Sequence, residues 1–134
     1  MKEKKEIMDE IIKKIGNKAL ECMKEIAFEN IIIGYFIRNI DDSVIKNIEF
    51  FYEYEIGKFN YLNEIMYQNE NLSALEDNYI ILHEMFAELY EHCSQCGDNW
   101  KCMTMKIDNN CKFNIDFSYD VIDFASWRKK QGIM

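Results

Sequence analysis

Residues 30–55 read NIIIGYFIRNIDDSVIKNIEFFYEYE, and this stretch predicts a β-hairpin. Residues 30–40 are rich in β-branched and aromatic side chains and form too short a run for a typical helix, so we expect a strand. Asp41, Asp42 and Ser43 are turn-forming residues. From residue 48 onward apolar and acidic side chains alternate, which predicts a second strand with one buried face and one acidic, exposed face. The buried face is expected to carry Ile48, Phe50, Tyr52 and Tyr54, and the exposed face Glu49, Phe51, Glu53 and Glu55.

Helical periodicity lies on both sides of this hairpin. Residues 2–28 carry apolar side chains three and four positions apart, which predicts one helix with an apolar stripe, or two short helices if Gly16 and Asn17 split or kink it. Residues 58–72 have no clear pattern and are interpreted as a connecting segment with room for one helical turn. The most regular periodicity extends from residue 73 to residue 94 and predicts a long helix with acidic side chains off its apolar stripe. That stripe consists of Leu75, Tyr79, Leu82, Phe86, Leu89 and Cys93.

The C-terminal third predicts a second hairpin followed by a short helix. Residues 102–107 and 113–119 each alternate between apolar and polar side chains, and Asp108, Asn109 and Asn110 between them favour a turn. Residues 120–134 are typical of a short amphipathic helix that ends at Gly132. The order of elements predicts an α+β fold in a single domain, residues 1–134. We expect an antiparallel sheet of about four strands (two hairpins), packed with a long N-terminal helix, a central acidic helix and a short C-terminal helix.

Charge is unevenly distributed along the 134 residues, whose net charge is −8. Residues 49–91 contain ten acidic residues and one basic residue, Lys58. A negative field of this kind repels nucleic acid and attracts cationic surfaces, although a merely solubilising face explains it equally well. The charged N-terminus is unlike a signal peptide, and no apolar run is long enough for a membrane span. We therefore expect a soluble, cytoplasmic protein that binds neither nucleic acid nor membrane.

The segment EHCSQCGDNWKC, residues 91–102, raises the question of a metal site. A structural zinc site needs four converging ligands, usually in two closely spaced pairs, and only Cys93 and Cys96 form such a pair. His92 and either Cys102 or Cys111 would have to complete the site, which leaves a small zinc-binding regulatory or adaptor protein as the alternative reading. A redox role is disfavoured because the C-x-x-C lies at a helix C-terminus, where the helix dipole does not lower a thiol pKa. We expect no cofactor.

No catalytic motif surrounds either histidine, and no nucleophile elbow, phosphate-binding loop or zinc-protease motif occurs in the sequence, so we expect no catalytic residues and no enzymatic activity. Aromatic side chains among the acidic residues suggest a different role. Phe51, Tyr61, Tyr67 and Tyr90 have the composition of a protein-binding surface, or they cover the edges of the core. Both interpretations remain open at this point.

Residues 100–120, WKCMTMKIDNNCKFNIDFSYD, resemble a signature of the YezG-like immunity proteins. In that family a long acidic helix leads through a tryptophan into a strand, a turn, a strand with an aromatic–acidic end, and a terminal helix with a tryptophan, basic residues and a closing glycine. The resemblance covers residues 75–134, and the first half of the chain matches in the order of its elements. The matching positions are Trp100, Asp108, Lys112, Phe113, Asp116, Phe117, Tyr119, Asp120, Trp127, Arg128 and Gly132.

The resemblance implies a bacterial antitoxin that binds a cognate secreted or contact-delivered toxin and blocks it. Because nuclease toxins hold phosphates and tend to be cationic, the acidic segment would steer and complement such a partner. We expect a monomer or weak homodimer with its contact surface on the middle segment, anchored by Phe51 and Tyr90. The expected partner-binding residues are Glu49, Phe51, Glu53, Glu55, Asp77, Glu84, Glu88, Tyr90, Glu91, Asp116 and Asp120.

Overall fold

The computed structural model describes residues 3–68 and 73–133, with side chains in those ranges except at residues 66–68, 73 and 74. In chain order the elements are α1 (Lys4–Cys22), β1 (Asn30–Ile40), β2 (Ser43–Glu55), β3 (Lys58–Tyr61), α2 (Leu62–Gln68), α3 (Ser73–Gln95), β4 (Cys102–Asp108), β5 (Phe113–Ser118) and α4 (Phe124–Lys130). They form two compact units, one from residues 1–26 and 69–99 and the other from residues 27–68 and 100–134. The α+β class is confirmed, whereas the single domain stays a prediction.

The first unit is a pair of helices, α1 and α3, that pack together. Helix α1 runs through Gly16 without a break, so of the two alternatives the single helix is the one that the structure shows. A glycine inside a helix costs about 1 kcal/mol relative to alanine, and burial of Gly16 with its neighbours Ile15 and Ala19 offsets that cost. The apolar stripe predicted for α3 is largely buried, with Leu82, Phe86, Leu89 and Cys93 at 0–3 % exposure.

The second unit is built on an antiparallel sheet in the order β3-β2-β1-β4-β5. Both predicted hairpins are present, and β1 begins and ends at the predicted residues. The sheet has five strands within the described residues, one more than expected, because residues 58–61 pair with the end of β2. Gly57, with φ +81°, makes the tight turn that allows this pairing. Strand β3 and helix α2 therefore replace most of the predicted connecting segment.

The turn between β1 and β2 follows from its two aspartates. Asp41 and Asp42 have φ values of +48° and +64°, and Ile40 lies opposite Ser43. Two successive residues with positive φ define the two-residue hairpin turn whose twist matches that of the flanking strands. Aspartate tolerates this conformation better than most residues, so the local sequence sets the register of the hairpin.

Strand β1 lies at the centre of the sheet and is covered on both faces. Every residue from Ile31 to Ile37 is buried, in contrast to the alternation expected of a strand with one wet face. On one face Phe36 makes edge-to-face contacts with Phe124 and Trp127 of α4, at ring-centroid distances of 4.9 and 5.2 Å. Helix α4 is thus part of the core and not an appendage at the end of the chain.

Candidate partner-binding site

Helix α4 packs against a row of three residues, one on each of three neighbouring strands of the sheet. Glu49 of β2 and Thr104 of β4 are the direct cross-strand neighbours of Gly34 on β1. Paired residues point to the same face, so Glu49 and Thr104 flank a position that has no side chain. Trp127 occupies this gap and donates a hydrogen bond from its indole Nε1 to the Thr104 hydroxyl at 2.9 Å. A Cβ added at Gly34 would lie 2.7 Å from the Trp127 ring, so the glycine is needed for this close approach.

The next residue of α4 holds the Glu49 end of the row. The Arg128 guanidinium donates to the Glu49 carboxylate at 2.5 Å and lies 5.2 Å from the centre of the Phe51 ring. Glu49 is 3 % exposed and Phe51 is 6 % exposed. The prediction that these two residues belong to an exposed acidic face is therefore wrong. The alternation of β2 was read correctly, but α4 covers the face that was expected to meet solvent.

The other two acidic residues predicted on β2 lie beyond the cover of α4. Glu53 is half-buried, and its carboxylate accepts hydrogen bonds from Asn30 Nδ2 and from the backbone N–H of Gly57, both at 2.8 Å. The hydrogen bond to Gly57 stabilises the β2–β3 turn. Glu55 is exposed, and its carboxylate lies 3.1 Å from the Lys58 ammonium. Of the four residues predicted for the outer face of β2, Glu55 is the one that is exposed.

The acidic residues predicted on α3 are placed as expected. All of them are exposed, and their spacing puts them on one side of the helix. They are Asp77, Glu84, Glu88 and Glu91. Tyr90, the predicted anchor on this helix, is half-buried, whereas Tyr67 lies outside the residues whose side chains are described.

Three isoleucines that were not among the predicted site residues are exposed, and so is Tyr54, so the prediction that Tyr54 lies on the buried face of β2 is wrong. Ile80 and Ile81 of α3 are 51 % and 37 % exposed, between Asp77 and Glu84 along the helix. Tyr54 and Ile56, beside the β2–β3 turn, are 43 % and 89 % exposed. Ile80 and Ile81 were detectable in the sequence, because neither belongs to the apolar stripe of α3. Exposed isoleucines bordered by carboxylates have the composition of an interface centre with a polar rim.

The acidic residues near the C-terminal hairpin are also exposed. Asp116 lies on β5 as the direct neighbour of Thr104, and Asp120 follows the end of that strand. Phe117 is half-buried and its ring centre lies 5.4 Å from that of Trp100. Phe113 and Ile115 of β5 are likewise half-buried, in agreement with a packing role, but Tyr119 is 59 % exposed and does not belong to the core.

The cysteines are free thiols in two different environments. Cys93 and Cys102 are buried, whereas Cys96 and Cys111 are exposed. The Cys93 thiol contacts the Met8 sulfur at 3.9 Å, as expected for a small apolar side chain in a helix pair. Burial raises the pKa of the Cys102 thiol to about 11. Residue His92, the remaining candidate ligand, contacts the backbone carbonyl of Lys4 at 3.1 Å.

No group of three or more His, Cys, Asp or Glu side chains is arranged to hold a metal ion within the described part of the chain. The described helices also include none that is long and apolar enough to cross a membrane.

The fold thus combines a sheet covered on one face by a helix that carries Trp127 and Arg128 with a helix pair in which the exposed side of α3 is acidic. The family model of the YezG-like immunity proteins matches residues 7–132. Because this match spans nearly the whole chain, the protein belongs to that family. No curated protein matches the sequence. Membership of the family assigns the protein the role of an immunity protein and implies a cognate toxin as its partner.

Proposed function

We propose that this protein neutralises a nuclease toxin by binding it in the cytoplasm, before the toxin degrades cellular nucleic acid. The family match over residues 7–132 is the observation that carries the proposal. Inhibition by an immunity protein requires a tight complex and no chemistry. The protein accordingly acts as a stoichiometric inhibitor and not as an enzyme.

The charge distribution supports a nuclease as the partner. A nuclease binds phosphates with basic residues, so its active-site surface is cationic. An inhibitor with ten acidic residues and one basic residue between positions 49 and 91 is attracted to such a surface over several ångströms. Electrostatic steering of this kind accelerates association and selects against partners with acidic surfaces.

The exposed side of α3 is the best candidate for the contact. Its carboxylates can pair with basic residues of the toxin, while Ile80 and Ile81 supply apolar area that becomes buried in the complex. Charged residues that stay at the rim contribute mainly to the association rate, whereas apolar residues at the centre contribute to the lifetime of the complex. We therefore assign steering to Glu84, Glu88 and Glu91, and anchoring to the two isoleucines.

The proposal is tested with the toxin domain that a pull-down with this protein identifies as its partner. The purified toxin domain should degrade plasmid DNA or total RNA, and an equimolar amount of this protein should stop the degradation. The triple variant Glu84→Lys/Glu88→Lys/Glu91→Lys should slow association roughly tenfold or more at low salt, as expected when a steering surface is reversed. Association rates are measured by stopped-flow fluorescence or biolayer interferometry at two salt concentrations.

The triple variant Glu6→Lys/Asp9→Lys/Glu25→Lys is a matched control, because it changes the net charge equally through exposed residues of the first 26 positions. Its association rate should fall much less. Equal losses in the two variants would mean that net charge, and not the α3 surface, governs binding. A toxin domain that degrades neither DNA nor RNA would rule out the nuclease part of the proposal.

A further inference from the structure

A concavity of about 480 Å³ opens in the second unit beside the β2–β3 hairpin. Phe59 and Tyr61 of β3 line it together with Glu64 of α2 and Arg128 of α4. None of the sequence patterns pointed to it, because its walls come from segments that are far apart in the chain.

The aromatic rings beside this concavity already hold one guanidinium. Phe51 and Tyr61 are stacked at a centroid distance of 4.8 Å. The Arg128 guanidinium carbon lies 5.2 Å from the centre of the Phe51 ring and 5.8 Å from that of Tyr61. These distances are within the range of cation–π attraction. The chemistry of the walls is therefore compatible with a planar cation.

The charges around the concavity leave a negative excess. Arg128 is neutralised by Glu49, and Lys58 by Glu55. Glu64 is exposed at the rim and adds a further carboxylate. Because the Arg128 charge is compensated within the protein, the field that an entering group meets is dominated by Glu64.

We propose that this concavity binds an arginine side chain of the toxin, with its guanidinium against Phe59 and Tyr61 and paired with the Glu64 carboxylate. Arginine fits better than lysine because its planar head stacks on aromatic rings and forms two parallel hydrogen bonds with a carboxylate. The identity of the partner rests on the proposed function, but the ligand chemistry rests on the site alone. The residues that line the site all belong to the second unit.

The opposite chemistry provides a clear competing outcome. The Arg128 Nε is buried and has no hydrogen-bond partner among the described residues. A carboxylate could bind beside it if the concavity were selective for anions. The test must therefore titrate the protein, without its toxin, with a guanidinium ligand and with a carboxylate ligand.

The first experiment titrates the ¹⁵N-labelled protein with N-acetyl-arginine amide and follows its amide NMR signals. We expect saturable shifts at Tyr61 and Glu64, and no comparable shifts with the uncharged citrulline analogue or with acetate. Glu64→Gln should weaken arginine binding about fivefold, as expected for loss of one partly exposed ion pair. Glu84→Gln, which removes an exposed carboxylate from α3, is the matched control and should leave binding unchanged.

Equal shifts with citrulline, shifts with acetate at the same signals, or unaltered arginine binding by Glu64→Gln would each overturn the proposal. A second experiment measures the affinity of the toxin domain for the same variants. Glu64→Gln should weaken the complex by a similar factor, while a carboxylate removed from α1, in Asp9→Asn, should not. Full toxin affinity in Glu64→Gln would overturn the role of this concavity and leave the proposed function standing.

Discussion

The contact between Gly34 and Trp127 permits a quantitative prediction about the stability of the sheet. An alanine Cβ at position 34 would lie 2.7 Å from Trp127 Cζ2, 2.7 Å from Phe36 Cε2 and 2.8 Å from Phe36 Cζ. Carbon atoms in contact are normally about 3.5 Å apart or more, so both rings must move by roughly 0.8 Å. Neither ring is free to do so at low cost, since Trp127 is 2 % exposed, Phe36 is 1 % exposed and the indole is held by Thr104.

The expected size of the effect follows from two opposing contributions. Overfilling a packed core costs about 1–3 kcal/mol, and two buried rings in contact with one new atom place this site in the upper half of that range. Replacing glycine by alanine also lowers the conformational entropy of the unfolded chain, which stabilises the folded state by about 0.4–1 kcal/mol where the folded backbone is compatible with alanine. We therefore expect Gly34→Ala to lower the free energy of unfolding by about 2 kcal/mol.

A double-mutant cycle separates this contact from general damage to the fold. The free energies of unfolding of Gly34→Ala, Trp127→Phe and the double variant are measured by urea denaturation with far-UV circular dichroism, and the m-values are compared. The smaller phenylalanine ring should make room for the new methyl group, so the double variant should be more stable than the sum predicts, by about 1 kcal/mol. Trp100→Phe, at a fully buried tryptophan that contacts Tyr35 and Phe117, serves as the control partner and should be additive with Gly34→Ala.

The reasoning would be refuted by a Gly34→Ala protein within about 0.5 kcal/mol of wild type, or by additivity with Trp127→Phe within the same margin. Either result would mean that α4 accommodates the methyl group without strain. The row formed by Glu49, Gly34 and Thr104 would then not be what positions the helix. If the coupling energy with Trp127→Phe were equal to that with Trp100→Phe, the loss of stability in Gly34→Ala would come from a defect in β1 and not from the contact with Trp127.

Two further predictions concern individual side chains. Asp123 accepts hydrogen bonds from the Ser126 backbone N–H and hydroxyl at 2.8 and 2.9 Å, and these bonds hold the pKa of its carboxyl below the usual range. A lowered pKa means that the cap stabilises α4 above the unfolded pKa, which is about 4, and that this stabilisation is lost as the pH falls through the folded pKa. Asp123→Ala should therefore speed amide exchange in α4 at neutral pH and differ little from wild type near pH 2. Asp123→Asn should keep part of the protection, because an asparagine side chain can also cap a helix. If Asp123→Ala and wild type differed by the same factor in exchange rate at all pH values, the role of the carboxylate would be contradicted. The second prediction is that of the five cysteines Cys96 and Cys111 alkylate rapidly in the folded protein at pH 8, while the buried thiols Cys22, Cys93 and Cys102 react only on unfolding. Burial raises the pKa of Cys22 to about 12 and that of Cys102 to about 11, which further lowers the fraction of reactive thiolate at pH 8. The labelled cysteines are identified by peptide mass spectrometry after a short iodoacetamide pulse, and labelling of Cys102 as fast as Cys96 would refute the prediction.

More of the fold than of the candidate site could be predicted from the sequence. The long helix α3, the two hairpins and the acidic side of α3 were predicted from periodicity, and all are present. The matching positions Trp127 and Arg128 came from the family resemblance, and the structure gives them a physical role in binding Thr104 and Glu49. Strand β3 was not predicted, because four residues are too few for a period and the pairing is created by β2.

The placement of Glu49 and Phe51 shows why the remaining part required coordinates. Alternation along residues 48–55 separates the side chains into two faces, since successive residues of a strand point in opposite directions. That rule depends only on the local backbone, and the turn at Asp41 and Asp42 is local in the same way. The face that carries Glu49 and Phe51 is covered by α4, about 80 positions away in the chain, and no local pattern contains that contact. Glu49 therefore reads as a surface carboxylate in the sequence, yet packing of α4 makes it the buried partner of Arg128.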